Sequence, residues 1–176
     1  MPSTEEVSLQ DMLDARERRA MAQRRLLREY GCPLVCFTLN IPGPVKVPPL
    51  APAAFLEGCR RIEKALDQLG LAPAAREEVR EKTGWEAICC VPGRPEEIKA
   101  KMAAAEDQDR LGRLFDIDVI RLDGTKVSRE ELGLPPRTCL LCGRPAHQCS
   151  RSRSHGLDQL TACIDRILSE EANAYE

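Results

Sequence analysis

Aromatic residues are scarce in this sequence, with three phenylalanines, two tyrosines and one tryptophan among 176 residues. Single-stranded nucleic acids are held on aromatic stacking platforms, so this scarcity argues against that class of ligand. A surplus of either charge is also lacking, because 26 Lys and Arg stand against 28 Asp and Glu. No overall field draws in nucleic acid or an anionic membrane, and any anion site has to be local. No uninterrupted apolar run approaches the ~20 residues needed to cross a bilayer. The opening stretch Met1-Pro2-Ser3-Thr4-Glu5-Glu6 has neither the basic flank nor the apolar core of a secretory signal. The expectation is a cytoplasmic protein with no membrane and no nucleic-acid partner. Internal repeats and low-complexity tracts are missing too, and the length suits one domain over residues 1–176.

Cysteine, by contrast, is plentiful. The count of nine is odd, so intrachain disulfides cannot use it up. In a reducing compartment these residues stay as thiols or bind metal. Cys32, Cys36, Cys59, Cys89, Cys90 and Cys163 lie among apolar neighbours and are read as small core hydrophobes.

Ser8 followed by Asp11 makes a capping box with Asp in place of Glu, and Leu9, Met12, Leu13, Ala20, Leu26 and Leu27 recur at helical spacing. This predicts a helix over Leu9–Glu29 whose Arg16, Glu17, Arg18, Arg19, Arg24 and Arg25 form a solvated face. A buried strand is predicted over Pro33–Ile41, then a rigid proline-rich surface loop, Pro42–Pro49, carrying Lys46. Helices are predicted over Pro52–Leu69 and, briefly, Ala74–Lys82, then a strand over Trp85–Val91 and a helix from Pro95 to Asp107. Leu114–Ile120 reads as a strand turning at Gly124 into a partner at Lys126–Ser128, a β-hairpin. A loop-rich segment, Leu134–Gly156, precedes a last helix over Leu157–Ala172. The architecture expected is α+β or mixed α/β, with a small mixed sheet covered by helices.

Asp116 and Asp118 stand two apart on a strand and therefore project to the same side. Adjacent carboxylates repel, an arrangement that suits a divalent cation such as Mg²⁺ between them and a phosphate. In nucleotidyl transfer such a cation neutralises charge on the reacting phosphate and the departing diphosphate. Solvent-facing acids on an edge strand are the alternative. Cys139 and Cys142 have the spacing of a zinc knuckle, and Cys149 or His155 can complete a tetrahedral set for Zn²⁺. Packed thiols are the alternative there. The same segment holds Arg137, Arg144, Arg151 and Arg153 with no acid from Gly133 to Leu157. It is either a guest site for a ligand with several phosphates or an exposed basic loop.

Several stretches recur in a specific order and spacing: Leu13-Asp-Ala-Arg-Glu-Arg-Arg19, Phe37-Thr-Leu-Asn-Ile-Pro-Gly-Pro-Val-Lys46, Gly112-Arg-Leu-Phe-Asp-Ile-Asp-Val-Ile120, Ser128-Arg129, Arg137-Thr-Cys-Leu-Leu-Cys142 and Cys149-Ser-Arg-Ser-Arg-Ser-His155. Together they closely resemble the CitX family, the holo-citrate lyase acyl carrier protein synthases or apo-citrate lyase phosphoribosyl-dephospho-CoA transferases. The likeness spans nearly the whole chain. It implies transfer of the 2'-(5''-triphosphoribosyl)-3'-dephospho-CoA group to a serine of the apo acyl carrier (gamma) subunit of citrate lyase, forming a phosphodiester and releasing diphosphate. The implied chemistry is nucleotidyltransferase-like, with Asp116 and Asp118 as catalytic Mg²⁺ ligands and Glu86 as a candidate third. Lys46, Arg113, Arg129, Arg137, Arg151 and Arg153 are expected to hold the triphosphate and CoA phosphates. One departure concerns the fold analogy: polymerase-β-like enzymes set a Gly-Ser pair further upstream than Gly112. A different class of answer is a non-enzymatic zinc-binding adaptor built on the Cys/His/Arg segment.

Overall fold

The computed structural model describes residues 4–174, so the first three residues of the acidic opening lie outside it. Its first helix, α1 (Leu9–Tyr30), starts at the expected capping box: the Ser8 hydroxyl accepts the Asp11 N–H at 3.1 Å, and the Asp11 carboxylate accepts the Ser8 N–H at 2.8 Å. Gly31 ends the helix in the left-handed conformation, φ 61°, which a side chain would resist. There follow β1 (Leu34–Leu39), α2 (Ala51–Gln68), β2 (Ala75–Glu81), β3 (Gly84–Cys90), α3 (Pro95–Asp107), β4 (Phe115–Ile120), α4 (Ala146–Ser152) and α5 (Leu157–Ala174). None of the described helices is long and apolar enough to cross a membrane.

The fold is α+β. One four-stranded sheet runs in the order β2-β3-β1-β4, and its pairings are antiparallel throughout instead of mixed. The helix expected over Ala74–Lys82 is strand β2. Its Arg and Glu residues favour helix locally, but pairing with β3 wins, and Lys82-Thr83 is the tight turn of a hairpin closed by Gly84 at φ 122°. Charged side chains along this edge discourage further pairing. The hairpin expected after β4 shrinks to one bridge, Ile120 with Lys126, plus a 2.9 Å bond from the Val127 N–H to the Val119 carbonyl. Within the segment read as loop, Ala146–Ser152 forms α4.

The larger core fills one face of the sheet, where α2, α3 and α5 cover Phe37, Ala87, Ile117 and Val119. Phe37 stacks on Phe55 at 5.1 Å and meets the edge of Phe115 at 5.3 Å. On the opposite face Leu26 of α1 packs against Leu34, Cys36, Ile88, Cys90 and Ile120. The six cysteines read as core hydrophobes are all buried free thiols. Only Ala15 and Leu26 of α1 are buried, and along its first half Met12, Arg16 and Arg19 border open space over the sheet.

Gly58 lets α2 lie directly on the sheet, because a Cβ there would overlap the Phe37 ring. Replacing it by alanine should lower the unfolding free energy by about 1–3 kcal/mol through overpacking, despite alanine's better helix propensity. Urea denaturation measures this, and an equally stable variant would show that α2 backs away without cost.

Candidate active-site cleft and metal-ligand cluster

β4 is an edge strand whose outer side is occupied by side chains rather than by another strand. The Arg137 guanidinium donates to the Phe115 and Arg113 carbonyls, each at 2.7 Å. Glu106, 2% exposed, accepts the Ile117 N–H at 2.8 Å, and Lys99 donates to the Ile117 carbonyl at 2.6 Å. Edge groups that would otherwise seek water or another chain are thereby satisfied. Gly112 permits the close approach to α3 just before the strand, since a Cβ would meet the Ala105 and Glu106 carbonyls at 2.6 and 2.7 Å. The Asp109 carboxylate then accepts the Gly112 N–H at 2.8 Å, and Arg61 of α2 donates to the same carboxylate.

The strand so fixed presents Asp116 and Asp118 on the face beneath α1. Register places Asp116 opposite Thr38, which is opposite Glu86, and Asp118 opposite Cys36. Opposite residues on adjacent strands share a face, so a polar row, Glu86-Thr38-Asp116, crosses three strands. The first half of α1 leaves a cleft above this row in two lobes of about 220 and 190 Å³, which share Arg16, Arg19, Thr38, Glu86 and Asp116. Lys46 closes one lobe, with Asp118 and Lys126 in the other.

Both signs of charge meet there. Arg19 donates to Glu86 at 2.5 Å, and Lys126 pairs with Asp118 at 2.5 Å. Lys46 donates to the Ile41 carbonyl at 2.8 Å, and burial beside Arg16 lowers its pKa. Arg16 has no hydrogen-bond or ion-pair partner among the described residues. The Thr83 hydroxyl and Arg19 Nε are buried without a hydrogen-bond partner, and both residues line the first lobe. Asp116 reaches solvent through the cleft, yet protein crowds it: desolvation first, then the Asp118 and Glu106 carboxylates, raise its pKa. A cation between the aspartates would relieve that repulsion.

A second cluster gathers Cys139, Cys142, Cys149 and His155, whose candidate ligand atoms all lie within 4.8 Å of one another and could hold a metal ion. The Cys142 Sγ is 3.4 Å from that of Cys149 and 3.3 Å from His155 Nε2. Gly143, at φ 71°, turns the knuckle, while the Leu141 N–H points at the Cys139 sulfur at 3.5 Å. The Arg144 guanidinium, more than His155 and Cys149, draws the Cys142 thiol down to about 6.

The expected phosphate-binding residues divide. Lys46 lines the cleft, whereas Arg113, Arg137 and Arg153 line a separate cavity of about 580 Å³ beside the Cys/His cluster. Arg151 is exposed on α4 and lines neither. Arg129 is engaged elsewhere, bonded to Glu106 at 2.7 Å and to Asp107 at 2.9 Å. Arg137 is likewise committed to main-chain carbonyls. Reading α1's arginines as a solvated face missed Arg16 and Arg19. The available signal was their place with Met12 and Gln23 on the side of α1 that faces the sheet. Thr38, Thr83 and Lys126 carried no local signal.

A family model described as apo-citrate lyase phosphoribosyl-dephospho-CoA transferase matches residues 7–171. A Streptococcus pyogenes protein named probable apo-citrate lyase phosphoribosyl-dephospho-CoA transferase is 37% identical over 176 residues, covering 94% of this chain and 88% of its own length. A Vibrio cholerae protein of the same name is 38% identical over 162 residues, 92% of this chain and 91% of that protein. The Haemophilus influenzae protein CitXG is 36% identical over 168 residues, which is 95% of this chain but 35% of the longer protein. With its Asp116–Asp118 strand, proline-rich loop and Cys/His segment inside the matched region, the chain belongs to the CitX family of apo-citrate lyase phosphoribosyl-dephospho-CoA transferases.

Proposed function

We propose that this chain, acting in the cytoplasm as one transferase domain over residues 1–176, moves the 2'-(5''-triphosphoribosyl)-3'-dephospho-CoA group onto a serine of the apo acyl carrier (gamma) subunit of citrate lyase. Family membership supports the activity. The observation that carries its location is the pair Asp116 and Asp118, facing one way into a cleft shared with Arg16, Arg19 and Lys46. In the reaction the serine oxygen bonds to the 5''-phosphorus, the bond from that phosphorus to the diphosphate oxygen breaks, and the serine proton is released.

The Asp116 and Asp118 carboxylates would hold Mg²⁺, whose chemistry is to withdraw charge from the reacting phosphate and the leaving diphosphate. The raised Asp116 pKa fits that assignment, since burial first and the neighbouring Asp118 and Glu106 carboxylates next disfavour its charge, and a bound cation would offset both. Arg16 and Lys46 bind the triphosphate oxygens, and the unpartnered Thr83 hydroxyl offers one more donor. Lys126 orients Asp118. Glu86 stands two strands from Asp116, about 10 Å at ordinary strand spacing. Its carboxylate is held by Arg19, so its part is to fix that arginine over the cleft instead of ligating the metal.

Zn²⁺ is the ion proposed for Cys139, Cys142, Cys149 and His155. Zn–S bonds of about 2.3 Å imply tetrahedral edges near 3.8 Å, close to the spacings found, and the acidified Cys142 thiol is ready to ligate. The ion would order the enzyme's own segment, which leaves a zinc-bearing adaptor without support.

Weighing the apo carrier by mass spectrometry after incubation with the triphosphoribosyl donor and Mg²⁺ should reveal the added group. Asp116→Asn and Asp118→Asn should each slow transfer by about 100-fold or more, the equivalent of several kcal/mol of lost charge stabilisation, with thermal unfolding little changed. Near-normal rates in either variant would remove the metal assignment. Carboxyl NMR should find Asp116 titrating above the ordinary value of about 3.9. Because the folded form binds the proton more tightly than the unfolded chain, stability contributed by this group rises as pH falls through that raised pKa, whereas transfer declines as protons displace Mg²⁺. Saturating Mg²⁺ should pull the titration down, and an unmoved curve would show that the ion binds elsewhere. Elemental analysis should find stoichiometric zinc in the purified protein and none in a Cys142→Ser/Cys149→Ser variant; zinc-free wild type would dismiss the site.

A further inference from the structure

The cavity of about 580 Å³ beside the Cys/His cluster is larger than either lobe of the cleft, and its size falls in the range of small-molecule sites. Its lining contains no acid. Leu140, Leu157, Leu160 and Ile164 supply an apolar wall, and Arg113 and Arg153 supply positive charge. Arg113 is bonded to the Thr138 carbonyl, whereas the Arg153 guanidinium has no protein partner among the described residues. Arg153 is also the one non-glycine residue among the described positions with positive φ, 47°, at the end of α4. A side chain is thus kept where glycine would sit with less strain. Asn40, just after β1, lines both this cavity and the cleft.

We infer that this cavity receives the dephospho-CoA body of the donor while its triphosphate occupies the Asp116 cleft. The inference rests on the transferase reading above. In the donor, the triphosphate and the CoA body are joined through a single ribose on the adenosine. A cleft that grips the triphosphate therefore requires a second volume near it, and Asn40 borders both. Arg153 meets the CoA diphosphate, and the leucine and isoleucine wall takes the apolar surface of the adenosine and pantetheine portions. Cys139, Cys149 and His155 form part of the lining, so the metal-binding segment shapes the donor site.

The test is equilibrium binding of dephospho-CoA, which lacks the triphosphoribosyl arm, to the intact protein by calorimetry. Inorganic tripolyphosphate with Mg²⁺ serves as the probe of the cleft. Arg153→Gly removes the charge while easing the backbone, and Ala146→Trp fills the cavity from the start of α4. Each should weaken dephospho-CoA binding by about tenfold or more and leave tripolyphosphate affinity within about twofold. Failure of wild type to bind dephospho-CoA at millimolar concentration, or unchanged affinity in either variant, overturns the assignment. The same holds if the variants raise only the KM for the carrier, which would make the cavity a carrier site. Carrier modification is followed in parallel: transfer without dephospho-CoA binding sinks the cavity assignment alone, whereas dephospho-CoA binding without transfer sinks the transferase reading.

Discussion

The fixed edge of β4 is the constraint on which the rest depends. An edge strand next to an open cleft has free main-chain groups that invite water, slippage or another chain. Here they are answered one after another, by side chains from other elements, Arg137 on Phe115 and Glu106 and Lys99 on Ile117, and by the main-chain N–H of the returning Val127 on Val119. A slip of one residue would turn Asp116 and Asp118 toward the core and Ile117 toward the cleft. Register and chemistry are therefore set by the same bonds, and charged residues buried in this region have a structural purpose.

That use of charge explains why basic residues fall into two populations. Arg129 and Arg137 are spent on acids and carbonyls that hold β4 and its neighbours. Arg16 and Arg153 border open volume without a protein partner among the described residues, and Lys46 and Arg137 do both, lining a cavity while bonded to main-chain carbonyls. The cleft exists because α1 is capped and anchored at its far end by Leu26 while its first half carries arginines over a polar row of the sheet. Packing and site are two halves of one helix.

Much of this was written locally. The Ser8–Asp11 box, Pro95 and the alternation through Phe115–Ile120 mark their elements because caps and period-two patterns are short-range signals. The spacing of Cys139, Cys142, Cys149 and His155 foretold a cluster for the same reason. Ala75–Glu81 misled because its residues favour a helix in isolation, and only the bonds offered by β3 make it a strand. Arg16 and Arg19 look like any exposed charges until the sheet beneath them is known.

The sequence by itself determined the family and the α+β class, and it singled out the Asp116–Asp118 pair and the Cys/His segment, since composition, spacing and order are properties of the chain alone. Tertiary structure decided which arginines are free and which are bound. It also decided that Glu86 answers to Arg19, and that Asn40 borders both the cleft and the larger cavity. Those facts depend on contacts between residues tens of positions apart, and no local pattern encodes the partner a side chain meets only after the chain has folded.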